Sequence, residues 1–353
     1  MTNVIEIMKD AIEHEASDIF IIAGLPLTIK TGGMIKNFTD QPMSDKECRA
    51  LIEEIYEIAN NRNIDLVSEN GDDDFSFAIR GISRFRVNAY KQRGSLAAVV
   101  RIISFNLPDT EKLGIPASVF DMVKYNEGLV LVTGPAGCGK STTLACMIDK
   151  INKTKQDHII TLEDPLEYLH RHNKSIVSQR EISTDSESFI VALRSALRQS
   201  PDVILIGELR DYETIEIAMT AAETGHLILS SLHTVGASTT IDRIVDAFPP
   251  NQQKQITLQL SMVLQAIVSQ RLVPSKEGKV VAAFEIMTVT PAIRNMIREG
   301  KIHQIDNVIS GASAESGMIS MDKSLLELYK SGIIERGVAL EYASNPELLE
   351  RRL

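Results

Sequence analysis

The chain has 353 residues, 44% of them apolar, enough for two globular domains. Its formal net charge of −10 argues against a general nucleic-acid coat while leaving room for a local basic strip. Cys48, Cys138 and Cys146 form no C-x-x-C pair, which excludes a tetracysteine zinc site and a disulfide framework and suits a reducing cytoplasm. No apolar run reaches 18 residues and no signal peptide is read, so the expectation is a soluble protein that meets a membrane only through a partner.

Residues 1–105 read as a small α+β domain. Val4, Ile5, Met8 and Ile12 recur at helical spacing, and Ile19, Phe20, Ile21 and Ile22 form a short strand. Ser44 and Glu47 make a capping box ahead of Leu51, Ile52, Ile55 and Tyr56. Residues 75–79 and 84–90 alternate at period two and read as strands, and 96–103 gives a third. These strands carry Arg80, Arg84, Arg86, Lys91, Arg93 and Arg101. Arg84 and Arg86, two apart, share a face. That face is either solvated or a guanidinium clamp on phosphate. Pro108, Gly114 and Pro116 mark a linker over 106–116.

From 117 to 288 strands and helices alternate. Strands are expected at 129–133, 159–162, 176–178, 203–206, 227–232 and 280–286. The pattern predicts an α/β fold with a largely parallel, doubly covered sheet that binds ligands at its C-terminal strand ends. Residues 289–353 turn helical: Thr290 and Pro291 start one helix, and 322–330 and 335–343 give two more.

The most specific motif is Gly134, Pro135, Ala136, Gly137, Cys138, Gly139, Lys140, Ser141, a complete G-x-x-x-x-G-K-S phosphate loop. It follows an apolar strand and opens into a helix that begins with Thr142. Glycines let backbone N–H groups turn inward on a polyphosphate, and the positive end of the helix adds to the attraction. Lys140 should reach the β/γ-phosphates of ATP, and the Ser141 hydroxyl should ligate Mg²⁺.

Two further strand ends carry acids. Val203, Ile204, Leu205 and Ile206 lead to Gly207 and Glu208, with Gly207 where an Asp is usual in phosphate-loop ATPases. Ile159 through Leu162 lead to Glu163, Asp164 and Pro165. Phosphoryl transfer to water needs Mg²⁺ and a carboxylate that orients the water. Glu163 is expected to do the latter and Glu208 to hold Mg²⁺, directly or through water, and exchanged roles remain open. His226 and His233 flank the strand 227–232, where a γ-phosphate sensor would sit, and Ser230, Ser231 and Thr234 would extend a polar relay. No Cys, His or acidic partner of these histidines has metal-ligand spacing. Arg194 and Arg198 lie i,i+4 on one helix and face a neighbouring subunit or solvent.

Taken together, these blocks closely resemble the PilT-like type IV pilus retraction ATPases of the type II/IV secretion ATPase superfamily. The resemblance covers almost the whole chain. It rests on the phosphate loop, on 160–167 (the family's Asp box), on 195–211, on 220–226 with 232–234 (the His box), and on 291–299. It implies a PAS-like N-terminal domain, a RecA-like ATPase core and a homohexamer, with ATP bound between the two domains of a protomer. Residues 81–88 resemble the family's segment that supplies phosphate-contacting arginines, and the expectation is that Arg84, Arg86 or Arg101 touches phosphate, with His226 and His233 of the His box at the nucleotide. The implied role is a motor on the inner face of the membrane, working on an inner-membrane pilus platform protein, without zinc and without nucleic acid. Secretion, competence or accessory pilus ATPases of the same superfamily are the nearest alternative. A RecA-like nucleic-acid translocase and a non-hydrolysing nucleotide sensor are more distant ones. On the helix 291–299, Ile293, Met296 and Ile297 should pack, leaving Arg294, Arg298 and Glu299 for an interface.

Overall fold

The structure, a computed structural model, describes residues 3–103, 107–110, 113–313 and 316–353. The linker reading over 106–116 includes residues 106, 111 and 112, which lie outside the described residues, as do 104 and 105 at the end of the expected first domain. The chain divides into two units, 1–106 with 167–169, and 107–166 with 170–353.

The first unit runs α1 (Val4–Glu13), β1 (Ala16–Ile21), β2 (Pro26–Thr31), β3 (Met34–Pro42), α2 (Asp45–Ile58), α3 (Asp65–Asn70), β4 (Asp72–Ile79), β5 (Ser83–Gln92) and β6 (Ser95–Ile103). Its strands form one antiparallel sheet in the order β3-β2-β1-β6-β5-β4. The Ser44–Glu47 capping box is present: the Glu47 backbone N–H donates to Ser44 Oγ, and Glu47 Oε2 accepts from the Ser44 backbone N–H at 2.7 Å. Phe85, Val87 and Ala89 on β5 are buried in a core with Met8, Ile52 and Ile55 of the helices. Arg84, Arg86 and Asn88 alternate with them and turn to the other face. The sequence reading lacks β2 and β3. β3 is an edge strand exposed at nearly every position, so it carries no apolar alternation to read.

The second unit continues α4 (Ala117–Asp121), β7 (Gly128–Thr133), α5 (Lys140–Thr154), β8 (His158–Glu163), β9 (Ile176–Glu181), α6 (Phe189–Ala196), β10 (Val203–Ile206), α7 (Tyr212–Glu223), β11 (Leu227–Leu232), α8 (Ala237–Asp246), α9 (Pro250–Val263), β12 (Leu264–Pro274) and β13 (Val280–Thr288). It ends in α10 (Pro291–Arg298), α11 (Ile305–Ser310), α12 (Met321–Lys330), α13 (Arg336–Tyr342) and α14 (Pro346–Glu350). The seven-stranded sheet has the order β13-β12-β7-β11-β10-β8-β9. All pairs are parallel except β12 with β13. Helices cover both faces, and one large core joins the sheet to Ile293 and Ile297 of α10. A smaller cluster packs Leu325, Ile334 and Ala339 against Val273 and Ala283 of β12 and β13.

β12 is absent from the sequence reading for a local reason. It follows α9 with no intervening turn residue, and Ser269, Gln270 and Arg271 interrupt its apolar run. Among the described residues, no helix is long and apolar enough to cross a membrane.

Candidate nucleotide site

The phosphate loop joins β7 to α5 at the C-terminal edge of the sheet, between β12 on one side and β11 on the other. Its first glycine is fixed by space. A Cβ on Gly134 would lie 2.2 Å from the Gln270 carbonyl oxygen and 2.7 Å from Cys138 Sγ. Gly139, in the left-handed region at φ 89°, is the N-cap of α5, and a Cβ there would meet Gln270 Nε2 at 3.0 Å. Pro135, Ala136 and Gly137 form the exposed loop tip, whereas Cys138 is buried and burial pushes its thiol pKa up. Ser141 and Thr142, partly exposed, follow Lys140 in the first turn of α5, where free N–H groups and the helix dipole favour an anion.

Lys140 is buried and bends back over the loop. Its Nζ donates to the carbonyls of Gly134 at 3.0 Å and Pro135 at 3.1 Å, and lies 3.4 Å from His233 Nδ1. An ammonium only donates, so in this contact Nδ1 is the acceptor, and the ring turns its other nitrogen, Nε2, toward Glu208. That nitrogen is 3.4 Å from Glu208 Oε2, and the other Glu208 oxygen pairs with Arg210. Lys140, His233 and Glu208 therefore stand in one polar chain across the ends of β7, β11 and β10.

Glu163 closes β8, the neighbour of β10, with Leu162 in register with Ile206. A Cβ on Gly207 would come within 3.4 Å of Glu163 Cα, so these two strand ends abut. The carboxylate of Glu181 accepts the backbone N–H of Leu166 at 3.2 Å and ties down the segment after Glu163, which contains a cis Asp164–Pro165 peptide.

Several expected site residues are elsewhere. His226 precedes β11, and the register of β11 with β7 puts it beside Gly128, at the opposite strand end from the phosphate loop. Its Nδ1 bonds the Ala221 carbonyl at 2.9 Å, so it closes the turn after α7. The hydroxyl relay is also corrected. Ser230 and Ser231 donate to the carbonyls of Ile206 and Gly207 at 2.6 and 2.7 Å, and Thr234 pairs with Thr240. They clasp strands and a helix start because a buried hydroxyl takes the nearest carbonyl. Arg294 is not left for an interface: its Nη1 donates to the carbonyls of Ser261 and Met262 at 2.5 and 2.6 Å, capping α9. In the first unit, Arg86 makes a two-pronged pair with Asp74, at 3.1 and 2.6 Å, and Arg101 pairs with Asp18 at 3.0 Å. Arg84 lies in register between Ala78 and Ile103.

One contributor escaped the sequence reading. Gln270 donates to the Cys138 carbonyl at 2.7 Å and accepts from Thr143 Oγ1 at 2.8 Å. Beside it, within the second unit, a cavity of about 520 Å³ is lined by Cys138 and Thr142 and by apolar Ile115, Leu272, Val281 and Leu328. Among the described residues no cluster of three or more His, Cys, Asp or Glu could hold a metal by itself. Mg²⁺ bound to a nucleotide takes only one or two protein oxygens, and the Ser141 hydroxyl and the Glu208 carboxylate are hard oxygen groups of the kind it takes.

Similarity to known proteins extends along the whole chain. It is 45% identical to the type IV pilus retraction ATPase PilT of Pseudomonas aeruginosa over 346 residues, 98% of this chain and 99% of that one. It is 40% identical to the type IV pilus ATPase PilU of the same organism over 341 residues, 96% of this chain and 88% of that one. A crystal structure of the pilus retraction motor PilT with bound ADP superposes with a TM-score of 0.88 at 46% identity, covering 99% of this chain and 100% of that one. The phosphate loop and the two acidic strand ends thus sit in a framework that solved relatives share. Residues 2–334 match the model of the Type II/IV secretion system protein family, and the chain belongs to that family.

Proposed function

We propose that this chain is an ATP-hydrolysing motor that powers type IV pilus retraction. The observation that carries the reading is the polar chain Lys140–His233–Glu208 at the mouth of a phosphate loop. The likeness to PilT over the full length supports it, since a fold alone would not choose among motors. Loop N–H groups and Lys140 hold the β- and γ-phosphates, and the cavity beside Thr142 accepts the nucleoside. Glu163 orients a water and takes its proton as the water oxygen bonds the γ-phosphorus and the bond to the ADP oxygen breaks. Ser141 and Glu208, the latter directly or through water, would hold Mg²⁺, which when bound would neutralise phosphate charge. His233 links Lys140 to Glu208, so loss of the γ-phosphate is felt at β10 and β11. The working form is a homohexamer on the inner face of the membrane, acting on a pilus platform protein. An accessory pilus motor is the second reading, and the 40% identity to the type IV pilus ATPase PilU fits a pilus ATPase of either kind.

ATP turnover by the purified chain tests the chemistry. Mg²⁺-dependent hydrolysis lost in Lys140→Ala is expected, because the charge facing the phosphates is removed. Turnover unchanged in that variant would contradict the assignment of this loop.

A further inference from the structure

Gln270 sits on β12 beside the phosphate loop, 4% exposed, and touches that loop at both ends. Its main-chain carbonyl stands where a Cβ of Gly134 would be, 2.2 Å away, so β12 presses on the first residue of the loop. Its side chain reaches the other end. The amide nitrogen donates to the Cys138 carbonyl at 2.7 Å, and the amide oxygen accepts from Thr143 at 2.8 Å. Those two partners lie on either side of the junction between Gly139 and Lys140, where loop becomes helix. The amide nitrogen also lies against the bare Cα of Gly139.

We propose that Gln270 is a positioning residue of the nucleotide site, holding the phosphate loop in its anion-binding conformation. A phosphate loop works by aiming N–H groups inward, and its carbonyls must then point outward and be bonded elsewhere. Cys138 is the loop residue whose carbonyl is buried beside β12. Gln270 satisfies that carbonyl, and the same amide fixes the first turn of α5 through Thr143. Only a side chain with a donor and an acceptor at its tip does both. Glutamate keeps the acceptor for Thr143 and sets an oxygen against the Cys138 oxygen. Methionine fills the volume and makes neither bond. The proposal rests on the nucleotide-site reading above, and its test separates the two.

The test compares Gln270→Met, Gln270→Glu and Lys140→Ala in the full chain. Fluorescent ADP binding, ATP turnover and the melting temperature of the nucleotide-free protein are measured for each. Two buried hydrogen bonds lost at the loop should raise the ADP dissociation constant and KM roughly ten- to a hundredfold. In Gln270→Met, kcat should change much less than KM, and melting should shift by only a few degrees. Gln270→Glu should bind ADP at least as weakly, although its volume and one bond are kept, and it serves alone if the Met variant does not fold. A residue that only fills space would lower melting and leave KM unchanged; that result, or wild-type ADP affinity in the Glu variant, would overturn the proposal. If Lys140→Ala keeps wild-type affinity, the site reading falls and this inference with it. If Lys140→Ala loses affinity and the Gln270 variants do not, this inference alone is wrong.

Discussion

Arg86 on β5 and Arg101 on β6 are direct cross-strand partners, on the sheet face turned away from the Phe85 and Val87 core. Two cations so placed repel, and the sheet accepts them because Asp74 holds one and Asp18 the other. The two aspartates differ. Asp18 is buried, with 8% of its side chain exposed, and Asp74 is 46% exposed.

That difference predicts unequal variants. Arg86→Ala should leave stability within about 0.5 kcal/mol, since an exposed pair is worth little and a repulsion is removed. Arg101→Ala should destabilise by about 1–3 kcal/mol, since it strips a buried carboxylate of its ion-pair partner. Both should lower ATP turnover if these guanidinium groups exchange aspartate for phosphate during the cycle. Denaturant unfolding and turnover check this; a double variant that hydrolyses ATP at the normal rate would remove these arginines from the site.

Glu163→Gln should still bind ATP and hydrolyse it about 10²–10⁴-fold more slowly, the usual range for a lost acid–base group. The amide keeps the shape of the β8 end and cannot take a proton. Pre-steady-state phosphate release distinguishes this from slow product release. Near-normal turnover would shift the role to another carboxylate.

In the first unit, Asp73 accepts two bonds from Arg62, each 2.7 Å, and one from Tyr56 at 2.9 Å. Chiefly through the Arg62 hydrogen bonds, its carboxyl pKa is held below the ordinary value of 3.8. A lowered folded-state pKa gives stability that is complete above the unfolded value and is lost as pH falls through the folded one. Asp73→Asn should therefore be less stable than the parent by a constant amount at pH 6–8. The gap should narrow as pH falls below about 4, near the ordinary aspartate range. Urea unfolding across pH 2.5–8 measures it, and a gap that widens on acidification would contradict the sign.

Arg294→Ala should lower stability by about 1–3 kcal/mol, because the last carbonyls of α9 lose a charged donor. Arg294→Lys should recover part of it. Thermal unfolding tells the two apart, and an Ala variant as stable as the parent would show that water replaces the cap without loss.

Much of the site was legible because it is written in contiguous residues. The phosphate loop needs its glycines and Lys140 in fixed order, and Glu163 and Glu208 follow apolar strands that announce themselves. What escaped depends on residues far apart in sequence. Gln270 is an ordinary amide until β12 lies against β7. His226 and His233 look alike at the ends of one strand, and only the parallel register shows which end carries the loop. Arg294 has the polar position of a surface residue on its helix, yet α9 ends beside it and offers free carbonyls. β3 was invisible because its stability comes from pairing with β2 and not from a buried face.

The central claim, that this chain powers retraction, is tested most directly in cells of the source organism carrying Lys140→Ala in place of the native chain. Surface pili are counted by electron microscopy, and retraction of single labelled pili is followed by fluorescence. The account predicts pili in normal or greater number that extend and do not retract, with twitching lost. Cells without surface pili would show that the motor drives assembly, and normal retraction would show that it powers neither.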